Sequence, residues 1–315
     1  MRHEVPSVLE QREADEVTES PSQAFRGSYV ALVTPMRAGG DIDWKSWQRL
    51  LEWHASSGTA GVVVGGTTGE SACLDDDELR ELTIEALRIG AGRMQVIVGV
   101  GSSCTRTTIE RAQRFARHGV DGLLVVTPAY NKPPQRGLIG HFRAAARAVD
   151  CPVILYNVPS RTAVDLLPET VQQLAAERNI VALKEAVPSL ERIQELRRLL
   201  PATFAILSGD DATACRSLSA GACGAISVTA NVAPGQYARM VSAALAGNVA
   251  LAQDLDAQLA DLHRDLFIEA NPIPVKWLLQ QMGMIDCGIR APLAWLDEAS
   301  SAPLRRILQQ LQLAA

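Results

Sequence analysis

Paired cysteines and clustered histidines, the usual marks of a protein-bound metal, are absent from this sequence. The six cysteines form no CxxC pair, and the five histidines are scattered without an HExxH or His-x-His pattern. Because protein metal sites draw their ligands from such close spacings, the sequence predicts no bound metal. The cysteines are expected to be reduced and mostly buried, as in a cytoplasmic chain.

The sequence also has no basic face and no long apolar run. Its 30 basic and 35 acidic residues are interspersed, with a net charge of −5, which argues against nucleic acid or an anionic membrane as a partner. No apolar run approaches the roughly 20 residues of a membrane-spanning helix. The first 26 residues lack the apolar core of a signal peptide and are too acidic for a transit peptide. We therefore expect a cytoplasmic protein with a disordered or loosely docked extension over residues 1–26.

From residue 27 onward, short apolar and β-branched runs alternate with amphipathic helical stretches. Eight strand-like runs are nearly continuous in apolar residues, as strands are when both faces of a parallel sheet are covered. Eight strands with intervening helices in about 210 residues favour an α/β fold of the (β/α)₈ TIM-barrel type over an open doubly wound sheet. We expect the barrel over residues 27–233 and an appended C-terminal helical segment over 234–315. The predicted strands are 28–35, 61–66, 95–101, 122–128, 152–159, 180–186, 204–211 and 224–231.

Lysine is scarce, since four lysines stand beside 26 arginines. One of the four, Lys184, lies near the end of the apolar run from Ile180 to Ala186. An arginine guanidinium cannot lose its proton in a protein, whereas a lysine amine can. A lysine in a buried strand of this arginine-rich chain therefore suggests a need for an amine that loses its proton. A desolvated amine attacks carbonyl carbon, which makes Lys184 a candidate nucleophile. The alternative is a lysine that reaches solvent from a strand end or pairs with Glu185.

Two of the four tyrosines, Tyr130 and Tyr156, also lie at predicted strand ends. In an α/β barrel the C-terminal ends of the strands converge on one pocket, where the chemistry occurs. A phenol there can give and take a proton when neighbouring groups hold it in place. Tyr156 is therefore a candidate proton donor to a group bound at Lys184, and otherwise a core aromatic residue.

Thr67, Thr68 and Arg161 complete the set of candidates that the residues themselves suggest. Both threonines follow glycines, so that backbone N–H groups and hydroxyls can bind a small carboxylate. A phosphate cradle is the rival interpretation, although the loop lacks the GxxxxGK[ST] pattern. Arg161 is either a bidentate receptor for a carboxylate or a member of a surface ion pair.

Seven sequence motifs lie at the predicted strand ends and in the C-terminal segment: GTTGES (66–71), TPAYNKP (127–133), YNVPSRT (156–162), KEA (184–186), LSGDD (207–211), ISVTANV (226–232) and NPIPVK (271–276). Together they resemble the motifs of the dihydrodipicolinate synthase family of pyruvate-dependent Schiff-base lyases. The resemblance runs in order and in register from about residue 27 to the C-terminus. It implies the condensation of pyruvate with L-aspartate 4-semialdehyde to 4-hydroxy-tetrahydrodipicolinate, a step of diaminopimelate and lysine biosynthesis. No cofactor is implied beyond a covalent imine.

The resemblance also implies a role for individual residues and a homotetramer built from tight dimers. By resemblance, Lys184 forms the imine with pyruvate, and Tyr156 is the proton donor and acceptor beside it. Thr67 and Tyr130 complete the implied proton relay, with Tyr130 reaching into the neighbouring subunit. Thr68 and the backbone at Ile226 are implied to bind pyruvate. Arg161 is implied to bind the carboxylate of the semialdehyde.

The sequence departs from the feedback-inhibited members of the family at the residues that bind inhibitory lysine. Those members have a second tyrosine where this chain has Ala129, a histidine where it has Asp76, and an asparagine where it has Ser103. We therefore expect lysine to inhibit this protein weakly or not at all.

Two other functions fit the same sequence. A sibling pyruvate aldolase, acting on a 2-oxo-3-deoxy sugar acid, 4-hydroxy-2-oxoglutarate or a sialic acid, would keep Lys184 and Tyr156 but needs another group in place of Arg161. A non-catalytic paralogue that senses a metabolite would have lost Lys184, Tyr156 or the relay, and all of these residues are present.

Overall fold

The structure is a computed structural model that describes residues 25–313. In this range the chain forms eight strands, twelve α-helices and three short 3₁₀ helices. The strands are β1 (Gly27–Ala31), β2 (Gly61–Val64), β3 (Gln95–Gly99), β4 (Gly122–Val126), β5 (Val153–Asn157), β6 (Ile180–Glu185), β7 (Ala205–Ser208) and β8 (Gly224–Ser227). The helices are α1 (Trp44–Ser56), α2 (Asp76–Gly90), α3 (Thr105–Ala116), α4 (Gln135–Arg147), α5 (Pro159–Thr162), α6 (Pro168–Leu174), α7 (Leu190–Leu199), α8 (Ala214–Ser219), α9 (Pro234–Leu245), α10 (Val249–Asp265), α11 (Ile273–Gln281) and α12 (Ser301–Leu313).

The eight strands form a closed parallel barrel. Each strand pairs with the next, and β8 completes the sheet by pairing with β1, where Gly27 lies opposite Gly224. The predicted (β/α)₈ fold is therefore confirmed. The predicted strands extend beyond the observed ones at their C-terminal ends, because the chain leaves the ladder there to form the loops above the barrel.

Apolar side chains form two layers, one inside the barrel and one between the strands and their helices. Successive side chains of a strand point to opposite faces, so a continuously apolar strand contributes to both layers. In β2, for example, Val63 belongs to the inner layer, whereas Val62 and Val64 belong to the outer one. This double burial accounts for the unbroken apolar runs in the sequence.

Strand β6 contains an irregularity that decides which way its last residues face. Its register against β5 shifts by one residue between Val153 and Ile154, which leaves Val181 as an extra residue. Val181 and Ala182 both belong to the inner layer as a result. Because one extra residue reverses the alternation beyond it, Lys184 has an inward-facing position.

The loop after β2 ends in a reciprocal cap at the start of α2. The side chain of Asp75 accepts hydrogen bonds from the backbone N–H groups of Asp77 (2.9 Å) and Glu78 (2.8 Å). The Glu78 carboxylate accepts in turn from the backbone N–H of Asp75 at 3.2 Å. This capping box fixes the point at which the GTTGES loop rejoins regular structure.

The C-terminal helices continue the barrel before they extend it. Helix α9 packs against β1 and β8 and so has the position of the eighth barrel helix. Helix α11 packs against the 3₁₀ turn Thr229–Asn231 after β8, at the C-terminal end of the strands. The division of the chain after residue 233 stays a prediction. Of the N-terminal extension predicted over residues 1–26, residues 1–24 lie outside the part of the chain that the structure describes.

Candidate active site

A cavity of about 190 Å³ opens at the C-terminal ends of the strands. Its size suits a ligand of few heavy atoms. Five of the candidates from the sequence line it: Thr67, Thr68, Tyr156, Arg161 and Lys184. Residues at the ends of β5 and β6 and in the segments that follow β2 and β5 therefore meet in one small space, as the barrel topology requires.

Lys184 lies opposite Tyr156 in the β5–β6 ladder, and 5% of its surface is exposed. Burial lowers the pKa of its amine to about 8; the negative charge of Asp211 opposes this shift, and the positive charge of Arg161 adds to it. An amine with such a pKa is unprotonated in an appreciable share of molecules near neutral pH. This is the state in which a lysine attacks a carbonyl carbon.

Tyr156 presents its ring to the lysine, with 4.4 Å between the Lys184 Nζ atom and the ring centre. Burial raises the pKa of the Tyr156 phenol, while the charge of Arg161 and a hydrogen bond with the Thr67 side chain oppose the rise. The phenol is therefore protonated at neutral pH. It can donate a proton to a group bound at Lys184 and exchange it through the Thr67 hydroxyl.

The lysine side chain depends on the lack of a side chain at Gly209. A Cβ atom there would lie 2.9 Å from the Lys184 Cε atom and 3.0 Å from its Cγ atom. Contacts this short would force the amine away from its position. Gly209 received no role from the sequence, although it belongs to the LSGDD motif.

Asp211, from the same motif, is the buried anion whose charge acts on Lys184. One of its carboxylate oxygens accepts hydrogen bonds from the backbone N–H groups of Val228 (2.9 Å) and Thr229 (2.8 Å). Val228 lines the cavity. Asp211 thus fixes the end of β8 and places a negative charge near the amine, a role that only the structure makes visible.

Thr68 and Arg161 are both joined to the C-terminal segment through Asn271. The Asn271 Nδ2 group donates to the Thr68 hydroxyl oxygen at 2.9 Å, and its backbone carbonyl accepts from the Arg161 guanidinium at 3.5 Å. Asn271 lines the cavity, and its buried Oδ1 atom has no hydrogen-bond partner among the described residues. Asn271 opens the NPIPVK motif, but nothing in the sequence indicated its place beside Thr68.

Two predicted site residues lie apart from this group. The Tyr130 side chain is 95% exposed, on a backbone with φ of 72° that residues other than glycine seldom adopt. The Ile226 side chain lies in the inner layer of the barrel, opposite Tyr29 of β1. Neither residue lines the cavity. A shared relay through Tyr130 and a pyruvate contact at the Ile226 backbone stay predictions.

Between residues 25 and 313, no three side chains of His, Cys, Asp or Glu are grouped so as to hold a metal ion. No helix in this range combines the length and the apolar character needed to cross a bilayer.

The model of the dihydrodipicolinate synthetase family matches residues 24–311 of the chain. A relative from Alcanivorax borkumensis, named 4-hydroxy-tetrahydrodipicolinate synthase, is 53% identical over 286 residues, covering 91% of this chain and 97% of the relative. A relative of the same name from Methylococcus capsulatus is 50% identical over 286 residues, which cover 91% of this chain and 98% of the relative. The solved dihydrodipicolinate synthase from Acinetobacter baumannii, which is chloride-inhibited and complexed with pyruvate, is 45% identical with a TM-score of 0.90, over 91% of this chain and 99% of that one.

The closed barrel and the buried lysine in its cavity are typical of the lysine-dependent aldolase class. Within that class, the match over most of its length shows that the chain belongs to the dihydrodipicolinate synthetase family.

Proposed function

We propose that this protein is a lyase that condenses pyruvate with L-aspartate 4-semialdehyde to 4-hydroxy-tetrahydrodipicolinate, in the diaminopimelate and lysine pathway. The observation that carries the proposal is the buried Lys184 amine beside the Tyr156 phenol, in a small cavity that also contains Arg161. Two relatives named 4-hydroxy-tetrahydrodipicolinate synthase, 53% and 50% identical over nearly their whole length, support the proposal.

The first half of the reaction joins pyruvate to Lys184. The unprotonated amine attacks the ketone carbon of pyruvate and forms a carbinolamine. Tyr156 then protonates the carbinolamine hydroxyl, which leaves as water, and an imine remains on Lys184. Thr67, hydrogen-bonded to Tyr156, returns a proton to the phenol, and Tyr130 of a neighbouring subunit would complete the relay.

The second half forms a carbon–carbon bond and releases the enzyme. Loss of a proton from the methyl group converts the imine to an enamine, whose carbon attacks the aldehyde carbon of the semialdehyde. The amine of that substrate then attacks the imine carbon and displaces Lys184, which closes the ring. One water leaves in the whole sequence, at the formation of the first imine.

Two groups hold the carboxylates of the substrates in this proposal. Thr68, with backbone groups around Ile226, binds the carboxylate of pyruvate. Arg161 binds that of the semialdehyde, for which a planar guanidinium is well suited. Arg161 and Lys184 line the same cavity, so pyruvate bound at Lys184 and the carboxylate bound by Arg161 share one site.

The proposal extends to assembly, cofactors and location. We expect at least a dimer, because the relay needs a tyrosine from a second subunit, and the resemblance to the family implies a homotetramer built from two such dimers. The imine on Lys184 replaces a cofactor, so no metal or organic cofactor is required. We expect the protein to act in the cytoplasm, without nucleic acid or membrane as a partner.

Borohydride reduction in the presence of pyruvate, followed by mass analysis and a coupled assay with L-aspartate 4-semialdehyde, tests the proposal. We expect one reduced pyruvate on Lys184 and a cyclic product with the second substrate. The Lys184→Arg variant is the control, because it keeps the charge but cannot form an imine. It should neither trap pyruvate nor form the cyclic product. An absent adduct in the wild-type protein would overturn the proposal. An adduct without ring formation would favour the sibling aldolase.

A further inference from the structure

Lys276 is the second lysine that the structure buries, and the reaction above gives it no task. Lys45 and Lys132 are exposed, whereas Lys184 and Lys276 are buried, and no arginine in the described part of the chain is buried. The side chain of Lys276 has no exposed surface. A buried ammonium is costly unless its partner is close and well placed, so its surroundings indicate its purpose.

The partner of Lys276 is Glu70, the fifth residue of the GTTGES loop. Its side chain is also fully buried, and its Oε1 atom accepts a hydrogen bond from the Lys276 Nζ atom. The other carboxylate oxygen of Glu70 accepts from the backbone N–H of Arg290 at 3.0 Å. Both oxygens of Glu70 are thus held by the C-terminal segment, from α11 and from the chain that follows it.

Glu70 closes the turn that carries the threonines of the site. Its backbone N–H donates to the carbonyl of Thr67 at 3.1 Å, and the N–H of Gly69 donates to that of Gly66 at 3.0 Å. The backbone of Glu70 has a φ of 58°, a conformation that is unfavourable for a residue with a side chain. Such a conformation persists only where the surroundings hold it, and here the buried pair with Lys276 does so.

A second contact joins the same two parts of the chain. Asn271, five residues before Lys276, donates from its side chain to the Thr68 hydroxyl oxygen at 2.9 Å. The Arg290 guanidinium binds the Glu78 carboxylate and the carbonyl of Cys73, farther along the loop. The C-terminal segment therefore contacts the loop from Thr68 to its end at α2.

From these contacts we infer that Lys276, acting through Glu70, is a positioning residue for Thr67 and Thr68. The C-terminal helical segment then supplies part of the pyruvate site rather than only covering the barrel. The inference rests on the first half of the proposed function, the formation of a pyruvate imine on Lys184.

A neutral replacement of the pair separates positioning from stability. A single Lys276→Met change leaves Glu70 buried without its partner, and its effect on folding would obscure any other. The double variant Glu70→Gln/Lys276→Met removes both charges and keeps an amide oxygen for the Arg290 N–H. Replacing a buried ion pair by uncharged groups of similar volume often leaves stability unchanged.

We expect the double variant to melt within about 5 °C of the wild-type protein. Its KM for pyruvate should rise by roughly tenfold or more, because Thr67 and Thr68 lose their position. For the same reason, its rate of imine formation, measured by borohydride trapping, should fall by roughly tenfold or more. The matched control is Glu177→Gln, which breaks contacts to Arg143 and Arg147 below the barrel. The control should trap pyruvate at the wild-type rate.

A double variant with wild-type KM and trapping rate would overturn the inference. A wild-type protein that traps no pyruvate would instead overturn the proposed function, so the two failures are distinct. If the double variant does not fold, hydrogen–deuterium exchange of the wild-type protein decides. Pyruvate should slow exchange in residues 66–74 and also in 271–281, but not in α12. Protection that stops at the strand ends would contradict the inference.

Discussion

Asn157 donates hydrogen bonds from its side-chain amide to both carboxylate oxygens of Glu185, each at 3.1 Å. The two residues are partners in the β5–β6 ladder, one position beyond the pair formed by Tyr156 and Lys184. Because side chains alternate between the faces of a strand, this contact lies on the outer face of the barrel, behind the catalytic candidates. This contact therefore joins β5 and β6 behind the site, next to Tyr156 and Lys184.

The same amide also closes the loop that carries Arg161. The Asn157 Nδ2 group donates to the Asp165 carboxylate at 2.8 Å, and its Oδ1 atom accepts from the backbone N–H of Leu166 at 2.9 Å. One buried side chain therefore connects the positions of Tyr156, Lys184 and Arg161.

Replacement of Asn157 by Ala should reduce both stability and catalysis. The loss of several buried hydrogen bonds, among them those to the carboxylates of Glu185 and Asp165, should cost about 2–4 kcal/mol of unfolding free energy. Imine formation should slow by roughly tenfold or more, because Tyr156 and Lys184 are less well aligned. Denaturant unfolding and borohydride trapping measure the two effects.

Asn179→Ala is the matched control for that variant. The Asn179 amide donates to the carbonyls of Ala146, Val149 and Cys151, before the start of β6 and away from the cavity. The control should lose stability but trap pyruvate at a near-normal rate. Equal losses of activity in both variants would show that Asn157 has no positioning role.

Glu185 should make the stability of the fold depend on pH. Burial raises its pKa to about 7, above the ordinary 4.5. The folded protein therefore binds this proton more tightly than the unfolded chain does. The contribution of Glu185 to the free energy of unfolding is fully present below about pH 4.5. It is lost as pH rises through 7, and the total loss is up to about 3 kcal/mol.

Glu185→Gln removes this titration. Between pH 5 and pH 8, the unfolding free energy of the wild-type protein should fall relative to that of the variant, as measured in urea. A constant difference between the two proteins across this range would refute the assignment to Glu185.

Imine formation should follow the titration of Lys184. The pKa of its amine is lowered to about 8, so the single-turnover trapping rate should rise with pH and level off above that value. Asp211→Asn removes a negative charge that favours the protonated amine, and the rising limb should move to lower pH. The same change at the exposed Asp254 should leave the profile in place. A shift of the Asp211→Asn profile to higher pH would contradict this electrostatic account.

Arg161→Met should affect the second substrate far more than the first. Loss of a charged contact to a carboxylate should raise the KM for L-aspartate 4-semialdehyde by roughly 10- to 100-fold. Arg161 also helps to lower the pKa of Lys184, so trapping of pyruvate should be compared on the high-pH plateau of each protein's own pH profile, where the amine is deprotonated. Equal losses in both half-reactions would remove the proposed division between the substrates.

L-Lysine should inhibit this protein weakly or not at all. The Asp76 carboxylate pairs with the Arg111 guanidinium at 2.8 Å, and the Ser103 hydroxyl donates to the carbonyl of Ala129 at 3.0 Å. None of the three residues offers the imidazole, amide or phenol found in lysine-inhibited relatives. A lysine titration of the coupled assay tests this, and strong inhibition at micromolar lysine would contradict it. Ala129→Tyr should increase any residual sensitivity.

The sequence alone determined the barrel and the main members of the site. Continuous apolar runs with helical stretches between them are a local property of the chain, and burial on two faces leaves few other arrangements for them. The rarity of lysine made Lys184 conspicuous, and the order of the strands placed Tyr156 near it.

The tertiary structure decided the features that depend on register and on distant contacts. Simple alternation from the start of β6 would turn Lys184 outward, and only the extra residue at Val181 turns it into the barrel. The contacts of Asn271 and Lys276 with the β2 loop join residues more than 200 positions apart. No local pattern encodes such contacts, because they form only when the closed barrel brings the two segments together.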